Sequence, residues 1–115
     1  GFDDTARSLS LGERVANSSE QGSICDAIVT PTPGEITFPI LKALAGGGFA
    51  VSDDQTLRAM RYAFDTLKLV IEPGGAVALA AALFADNLPS SEDLVVIVSG
   101  GNVDEAMFAK ALTIC

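Results

Sequence analysis

Apolar positions recur with a helical period in several stretches of the chain and run together in one. The clearest pattern lies at residues 53–69, where Leu57, Met60, Phe64 and Leu67 stand three and four apart. That spacing is the amphipathic stripe of a helix with one buried face, so its Met and aromatic read as core. Ser52-Asp53-Asp54-Gln55 reads as a capping box, with Ser52 at the N-cap and Gln55 reaching back. Residues 35–44 predict a second helix, with Ile36, Ile40, Leu41 and Leu44 on one face. Pro39 removes one of its hydrogen bonds and marks a candidate kink. Gly46-Gly47-Gly48 follows a helix rather than a strand, and so reads as a C-terminal stop, not a phosphate loop. Residues 2–15 predict a helix with Asp3 and Asp4 in the first turn, where the macrodipole favours acids, and Arg14 at the far end. Residues 76–85 are apolar all round, the pattern of a helix buried on every side. Asp86-Asn87-Leu88-Pro89 stops it.

The run is Leu94-Val95-Val96-Ile97-Val98, which predicts a short buried strand. It passes at once into Ser99-Gly100-Gly101-Asn102, and a helix is expected over residues 104–112. Strand, glycine turn and helix in that order place the turn where open α/β sheets bind ligands. Its glycines let a backbone come close to a planar or anionic group. A flexible helix start is the plainer reading. Residues 24–30 read as a short strand or extended turn around Cys25-Asp26-Ala27, residues 17–23 as a loop, and residues 49–51 as a brief extended piece. Pro31-Thr32-Pro33-Gly34 forbids regular structure. The expected architecture is α/β: residues 1–115 as a single unit without a linker, an open sheet of few short strands with packed helices.

Composition narrows the function. Hydrophobic residues make up 49% of the chain and its mean hydropathy is +0.40. For a chain of 115 residues that is apolar, so part of the surface is expected to meet another chain or a missing portion, as a homo-oligomer or with N-terminal sequence. The net charge of −8 argues against nucleic acid and anionic membranes, which attract basic patches. There is no His, so Ser-His-Asp and Cys-His machinery cannot be built from this chain. Cys25 and Cys115 show no ligand spacing and read as free thiols in a reducing, cytoplasmic compartment. No signal peptide is visible, and the longest apolar run, residues 76–85, falls short of the roughly 20 residues of a membrane span. The first residue is Gly1 rather than Met, which suggests a processed piece or fragment.

Glu72 is a lone acid between Leu69-Val70-Ile71 and the pair Gly74-Gly75 at the mouth of the apolar helix. An acid favoured by the helix N-terminus is the plain reading, worth about 0.3–1 kcal/mol. Taken with its surroundings, however, it belongs to a longer pattern. Residues 68–81, Lys-Leu-Val-Ile-Glu-Pro-Gly-Gly-Ala-Val-Ala-Leu-Ala-Ala, and residues 95–104, Val-Val-Ile-Val-Ser-Gly-Gly-Asn-Val-Asp, resemble the C-terminal part of the serine/threonine dehydratase and serine racemase family. Those are pyridoxal-phosphate enzymes of fold type II, tryptophan synthase β-like. Residues 23–29 and the Pro-Gly-Glu helix after them share the likeness, which covers nearly the whole chain.

The resemblance implies a fragment of the large, cofactor-binding domain. It implies that Ser99 hydrogen-bonds the pyridine nitrogen of pyridoxal phosphate and that Gly100 and Gly101 let the ring approach. Glu72 would lie near the same side of the ring. Asp26 would belong to a loop close to the cofactor, although Ala27 stands where the family often has Gly. Racemase-like members also bind a divalent cation. Asp4 and the backbone carbonyl of Phe2 would be two of its ligands, with a Glu lying before Gly1. Oxygen ligands suit Mg²⁺ or Ca²⁺, and an incomplete set binds weakly. Acids at a helix start are the alternative for Asp3 and Asp4.

The departures are as informative. The family's Schiff-base lysine, in a Ser-x-Lys-x-Arg-Gly motif, is absent, so no catalytic residue is assigned; Lys42, Lys68 and Lys110 fall within predicted helices. The family's phosphate loop is also upstream. The implied activity is that of an ammonia-lyase, which removes water from a small hydroxy amino acid and yields a 2-oxo acid and ammonia. This chain alone is expected to be inactive. The alternatives are a serine racemase or hydroxyaspartate lyase fragment, or a non-catalytic α/β binding or assembly module.

Overall fold

A computed structural model describes residues 2–18, 22–91 and 93–114. Among the described residues the five α-helices are α1 (Asp4–Leu11), α2 (Thr37–Leu44), α3 (Asp53–Tyr62), α4 (Pro73–Phe84) and α5 (Glu105–Thr113). A 3-10 turn at Asp26–Ile28 and a π-turn at Ala63–Leu67 complete the regular structure. The described residues fall into two compact units. One combines those up to Ser23 with Ile28–Ala50; the other combines Ile24–Ala27 with those from Val51 onward.

The described residues contain no β-strand, which corrects the expected open sheet. Residues 94–98 alternate as a strand would, with Val96 and Val98 against the core of the second unit and Val95 and Ile97 86% and 75% exposed. A strand is completed only by a neighbour that takes up its N–H and C=O groups. No described segment does so for this run. Likewise residues 24–30 hold no strand; within them Asp26–Ile28 form a 3-10 turn.

In the first unit, α1 is shorter than the helix expected over residues 2–15. Gly12 stops it by adopting a left-handed φ of 75°, with its N–H donating to the Ser8 carbonyl. Polar contacts tie segments of the unit together. Ser8 is fully buried and its Oγ accepts from the Val15 amide at 3.0 Å. Arg14 donates to the Pro33 carbonyl at 2.7 Å, and Lys42 Nζ to the Gly12 carbonyl at 2.7 Å. Phe38 is its buried large apolar side chain. The face of α2 expected in a core is instead outside, with Ile36, Ile40, Leu41 and Leu44 all exposed. Pro39 falls in the first turn of α2, where a helix needs no N–H, so it removes no interior hydrogen bond.

In the second unit, α3 packs on α4 and α5. The capping box forms as the sequence predicts: the Gln55 amide donates to Ser52 Oγ at 3.1 Å, and the Ser52 amide to Gln55 Oε1 at 2.8 Å. Leu57 and Met60 are buried with Ile71 and Leu79 among small neighbours Ala59, Ala63, Ala76, Ala80 and Ala111. Each large side chain contributes about 1.5–3 kcal/mol, and the alanines let the helices approach closely. The stripe then fails. The π-turn places one more residue in the turn, and Phe64 and Leu67 end exposed, Phe64 meeting Phe108 edge to face at 5.3 Å. Lys68 is not helical; it closes the π-turn with a φ of 60°. Helix α4 is buried all round only in its first turns; Ala78 and Leu83 are exposed. At its far end the Arg58 guanidinium lies 4.5 Å from the Phe84 ring centre. Asp104 caps α5, its Oδ1 accepting from the Met107 amide at 2.9 Å. Arg61 NH1 donates to the Ile114 carbonyl.

Cys25 is buried and not in a disulfide, while Cys115 lies outside the described residues. No helix among the described residues is long and apolar enough to cross a membrane.

Candidate functional site

Two short segments of the second unit meet closely. The chain leaves Ile71, which is buried, and enters α4 through Glu72 at the N-cap and Pro73 at the first helical position, where its fixed φ suits a helix start. Facing it is the turn after residues 94–98. The Glu72 amide donates to the Gly100 carbonyl at 3.0 Å, and the Val103 amide closes the turn on the Gly101 carbonyl at 3.0 Å.

Three glycines make this approach possible. A Cβ on Gly75 would stand 2.7 Å from the Gly100 carbonyl oxygen and 2.8 Å from its nitrogen. A Cβ on Gly101 would stand 2.9 Å from the Val70 carbonyl oxygen. A Cβ on Gly100 would fall on the Glu72 carboxylate, 2.7 Å from its Cδ. Glu72 stands at the N-cap of α4, where an acid is favoured, but its side chain makes no capping hydrogen bond, and the carboxylate lies against Gly100. Ser99, next to this junction, is exposed, and its hydroxyl has no hydrogen-bond partner among the described residues.

The sequence-derived residues therefore divide. Glu72, Gly100 and Gly101 come together, with Ser99 adjoining. Asp26 is exposed in the 3-10 turn of the same unit, and that segment is tied to α3 by the Ile24 amide donating to Asp53 Oδ2 at 3.2 Å. Gly75 was missed as a member of the junction. Its signal was the Pro-Gly-Gly-Ala start of an otherwise alanine-rich helix, since an interior glycine costs helix stability and asks for a packing reason.

Phe2 and Asp4 belong to the other unit. Asp4 opens α1 and is 4% exposed. Its Oδ1 accepts from Asn17 Nδ2 at 2.8 Å, while its buried Oδ2 has no partner. Neither Asp3 nor Asp4 makes a side-chain cap on α1, so the helix-start alternative lacks its hydrogen bond. Asp3 pairs with Arg7 at 3.1 Å, and this hydrogen bond holds its carboxyl below the ordinary value of 3.8. No cluster of three or more Asp, Glu, His or Cys forms among the described residues. One carboxylate oxygen and a carbonyl suit a hard cation in kind but do not complete its six or more ligands.

Comparison with known proteins decides the family. Residues 1–100 match the family described as pyridoxal-phosphate dependent enzyme. The chain belongs to that family. Members use pyridoxal phosphate, and the exposed Ser99 hydroxyl on a small-residue turn fits a flat, nitrogen-bearing ring. Serine racemase of Dictyostelium discoideum is 38% identical over 97% of this chain and 35% of its own length. L-threo-3-hydroxyaspartate ammonia-lyase of a Pseudomonas species is 31% identical over 95% of this chain and 34% of its own. The processed form of threonine deaminase isoform 2 from Solanum lycopersicum superposes with a TM-score of 0.84 at 29% identity, over 99% of this chain and 34% of that one. The chain thus spans about a third of the length of the family members it matches.

Proposed function

We propose that this chain is the ring-nitrogen side of a pyridoxal-phosphate ammonia-lyase that takes water from L-serine or L-threonine. The products are a 2-oxo acid and ammonia, the water lost in elimination being returned when the imine hydrolyses. The observation that carries this reading is the unpaired, exposed Ser99 hydroxyl on a glycine turn fastened to the start of α4. When bound, the cofactor supplies the electron sink that lets the Cα proton and then the β-hydroxyl leave. Ser99 offers the ring nitrogen a neutral partner, which does not force a proton onto it. An acid there would deepen the sink. The weaker sink suits β-elimination, in which charge on Cα is short-lived. Gly100 and Gly101 seat the turn against Glu72 and Val70 and so hold Ser99 beside the ring, Glu72 stands on the same side, and Asp26 belongs to a loop at its border.

Racemisation of serine is the second reading, favoured by the 38% identity to the Dictyostelium enzyme. On either reading this chain by itself is inactive. It holds no Ser-x-Lys-x-Arg-Gly motif, and a half-site cannot hold substrate over an attacking amine. The longer protein should release 2-oxo acid from L-serine and L-threonine, and the 115-residue chain none. D-serine without 2-oxo acid would establish the racemase reading instead. Saturable turnover by the chain alone, abolished by changing Lys42, Lys68 or Lys110, would overturn the assignment of the lysine elsewhere.

We also propose that Asp4 Oδ2, with the Phe2 carbonyl, takes a weakly held Mg²⁺ or Ca²⁺ completed by ligands outside these residues. The buried, partnerless oxygen supports it.

A further inference from the structure

Asp4 is a carboxylate buried without a counter-charge. No described Lys or Arg forms a salt bridge with it. A buried charge is costly unless paired or bound to a metal, and here one oxygen is engaged and the other is not. What engages it is Asn17, whose side chain is fully committed. Its Nδ2 donates to Asp4 Oδ1 at 2.8 Å and to the Thr30 carbonyl at 2.8 Å. Its Oδ1 accepts from Arg7 NH2 at 3.1 Å. Its own amide donates to the Pro31 carbonyl at 2.8 Å. Arg7 in turn is fixed by Asp3 and by the Ala16 carbonyl, both at 3.1 Å.

This network has one consequence for Asp4. The amide of Asn17 cannot flip, because its oxygen faces a guanidinium and its nitrogen faces two acceptors. The carboxylate is therefore held with Oδ1 accepting from Asn17 and Oδ2 buried and without a partner. Arg7 donates to Asp3 and to neutral acceptors, and forms no salt bridge with Asp4. We propose that Asn17 is the positioning residue for a divalent cation at Asp4: it fixes the carboxylate so that Oδ2 alone is presented, and Arg7 holds Asn17 in that orientation. This rests on the reading of Asp4 as a cation ligand. Residues that hydrogen-bond a metal-ligating carboxylate set its orientation, and losing them typically weakens metal affinity by about 10–100-fold.

The test is Mn²⁺ binding to the intact protein, read from the spin-resonance signal of free Mn²⁺, with the melting temperature of each variant measured in chelator. The wild type should bind Mn²⁺, and Asp4→Asn should lose that binding. Asn17→Ala should weaken it about 10–100-fold, and Arg7→Gln by a smaller factor, because Asn17 keeps its own donors. Asn17→Ser, a smaller polar change, serves if the alanine variant does not fold. If the wild type does not bind Mn²⁺, or Asp4→Asn binds as well as wild type, the cation reading falls and the proposal with it. If Asp4→Asn loses binding while both Asn17 variants stay within about twofold of wild type, the reading stands and Asn17 is only structural. A lowered melting temperature in chelator with unchanged Mn²⁺ affinity has the same meaning.

Discussion

The carboxylate of Glu72 occupies the space that a side chain on Gly100 would fill, while the amide of Glu72 holds the Gly100 carbonyl at 3.0 Å. A side chain on Gly100 would collide with the Glu72 carboxylate, which makes no capping bond to α4. A double-mutant cycle reads this directly. Gly100→Ala should destabilise the protein, and much less so when Glu72 is Ala, giving a coupling of about 0.5–3 kcal/mol by urea unfolding. Additive effects would mean that the two do not compete for space.

Gly75→Ala should cost more than Gly100→Ala. At Gly100 the obstacle is the end of a flexible side chain, but at Gly75 it is backbone, 2.7 Å and 2.8 Å from the new Cβ. Overpacking of this kind costs about 1–3 kcal/mol. The gain in helix propensity, about 1 kcal/mol, offsets only part of it. The order of the two urea midpoints is the measurement.

Ser99→Ala in the full-length protein should lose one hydrogen bond to the cofactor, about 0.5–1.5 kcal/mol, seen as weaker pyridoxal-phosphate binding in a fluorescence titration of the apoprotein. Turnover should also fall. Unchanged affinity and unchanged turnover would remove Ser99 from the ring contact.

Asp3 gives a pH signature. Its folded-state value is lowered, chiefly by the hydrogen bond from Arg7. The stability it contributes is therefore present above the unfolded value near 3.8 and lost as pH falls through the lower folded value. Both side chains are more than a third exposed, so the contribution is small. Asp3→Asn should melt slightly below wild type near neutrality, and the two curves should converge in acid.

Leu94, Val95 and Ile97 are 58%, 86% and 75% exposed and adjoin the glycine turn. An apolar run with unpaired backbone invites association. Lysine at both Val95 and Ile97 should shift sedimentation of the purified chain toward monomer and reduce binding of an apolar dye. A monomeric wild-type chain at micromolar concentration would refute this.

Local rules served well where they act over a few residues. The Ser52–Gln55 box and the presence of the five described helices follow from spacing and end signals. They failed where a partner elsewhere in the chain decides. Residues 94–98 have the composition of a strand, but a strand needs a neighbour's backbone, which no local pattern supplies. The α2 stripe has the period of a core face, yet period does not say what the face meets. Phe64 and Leu67 were displaced by the π-turn, an extra residue that a regular 3.6-residue wheel does not allow for. Glu72 and the two glycines were legible as neighbours through the resemblance, and the structure brings them together. Gly75 and Asn17 were not, because their roles are set by contacts with Gly100 and Asp4 distant in sequence.

The fastening of residues 99–101 to residues 70–75 bears on the thermodynamics of anything that docks there. Fixing the backbone of a residue costs about 1–2 kcal/mol of conformational entropy at room temperature. Here the Glu72–Gly100 and Val103–Gly101 hydrogen bonds and the close glycine contacts immobilise the turn when the protein folds. A ligand arriving at Ser99 meets a surface that is already ordered, and its binding free energy is not reduced by having to still the loop.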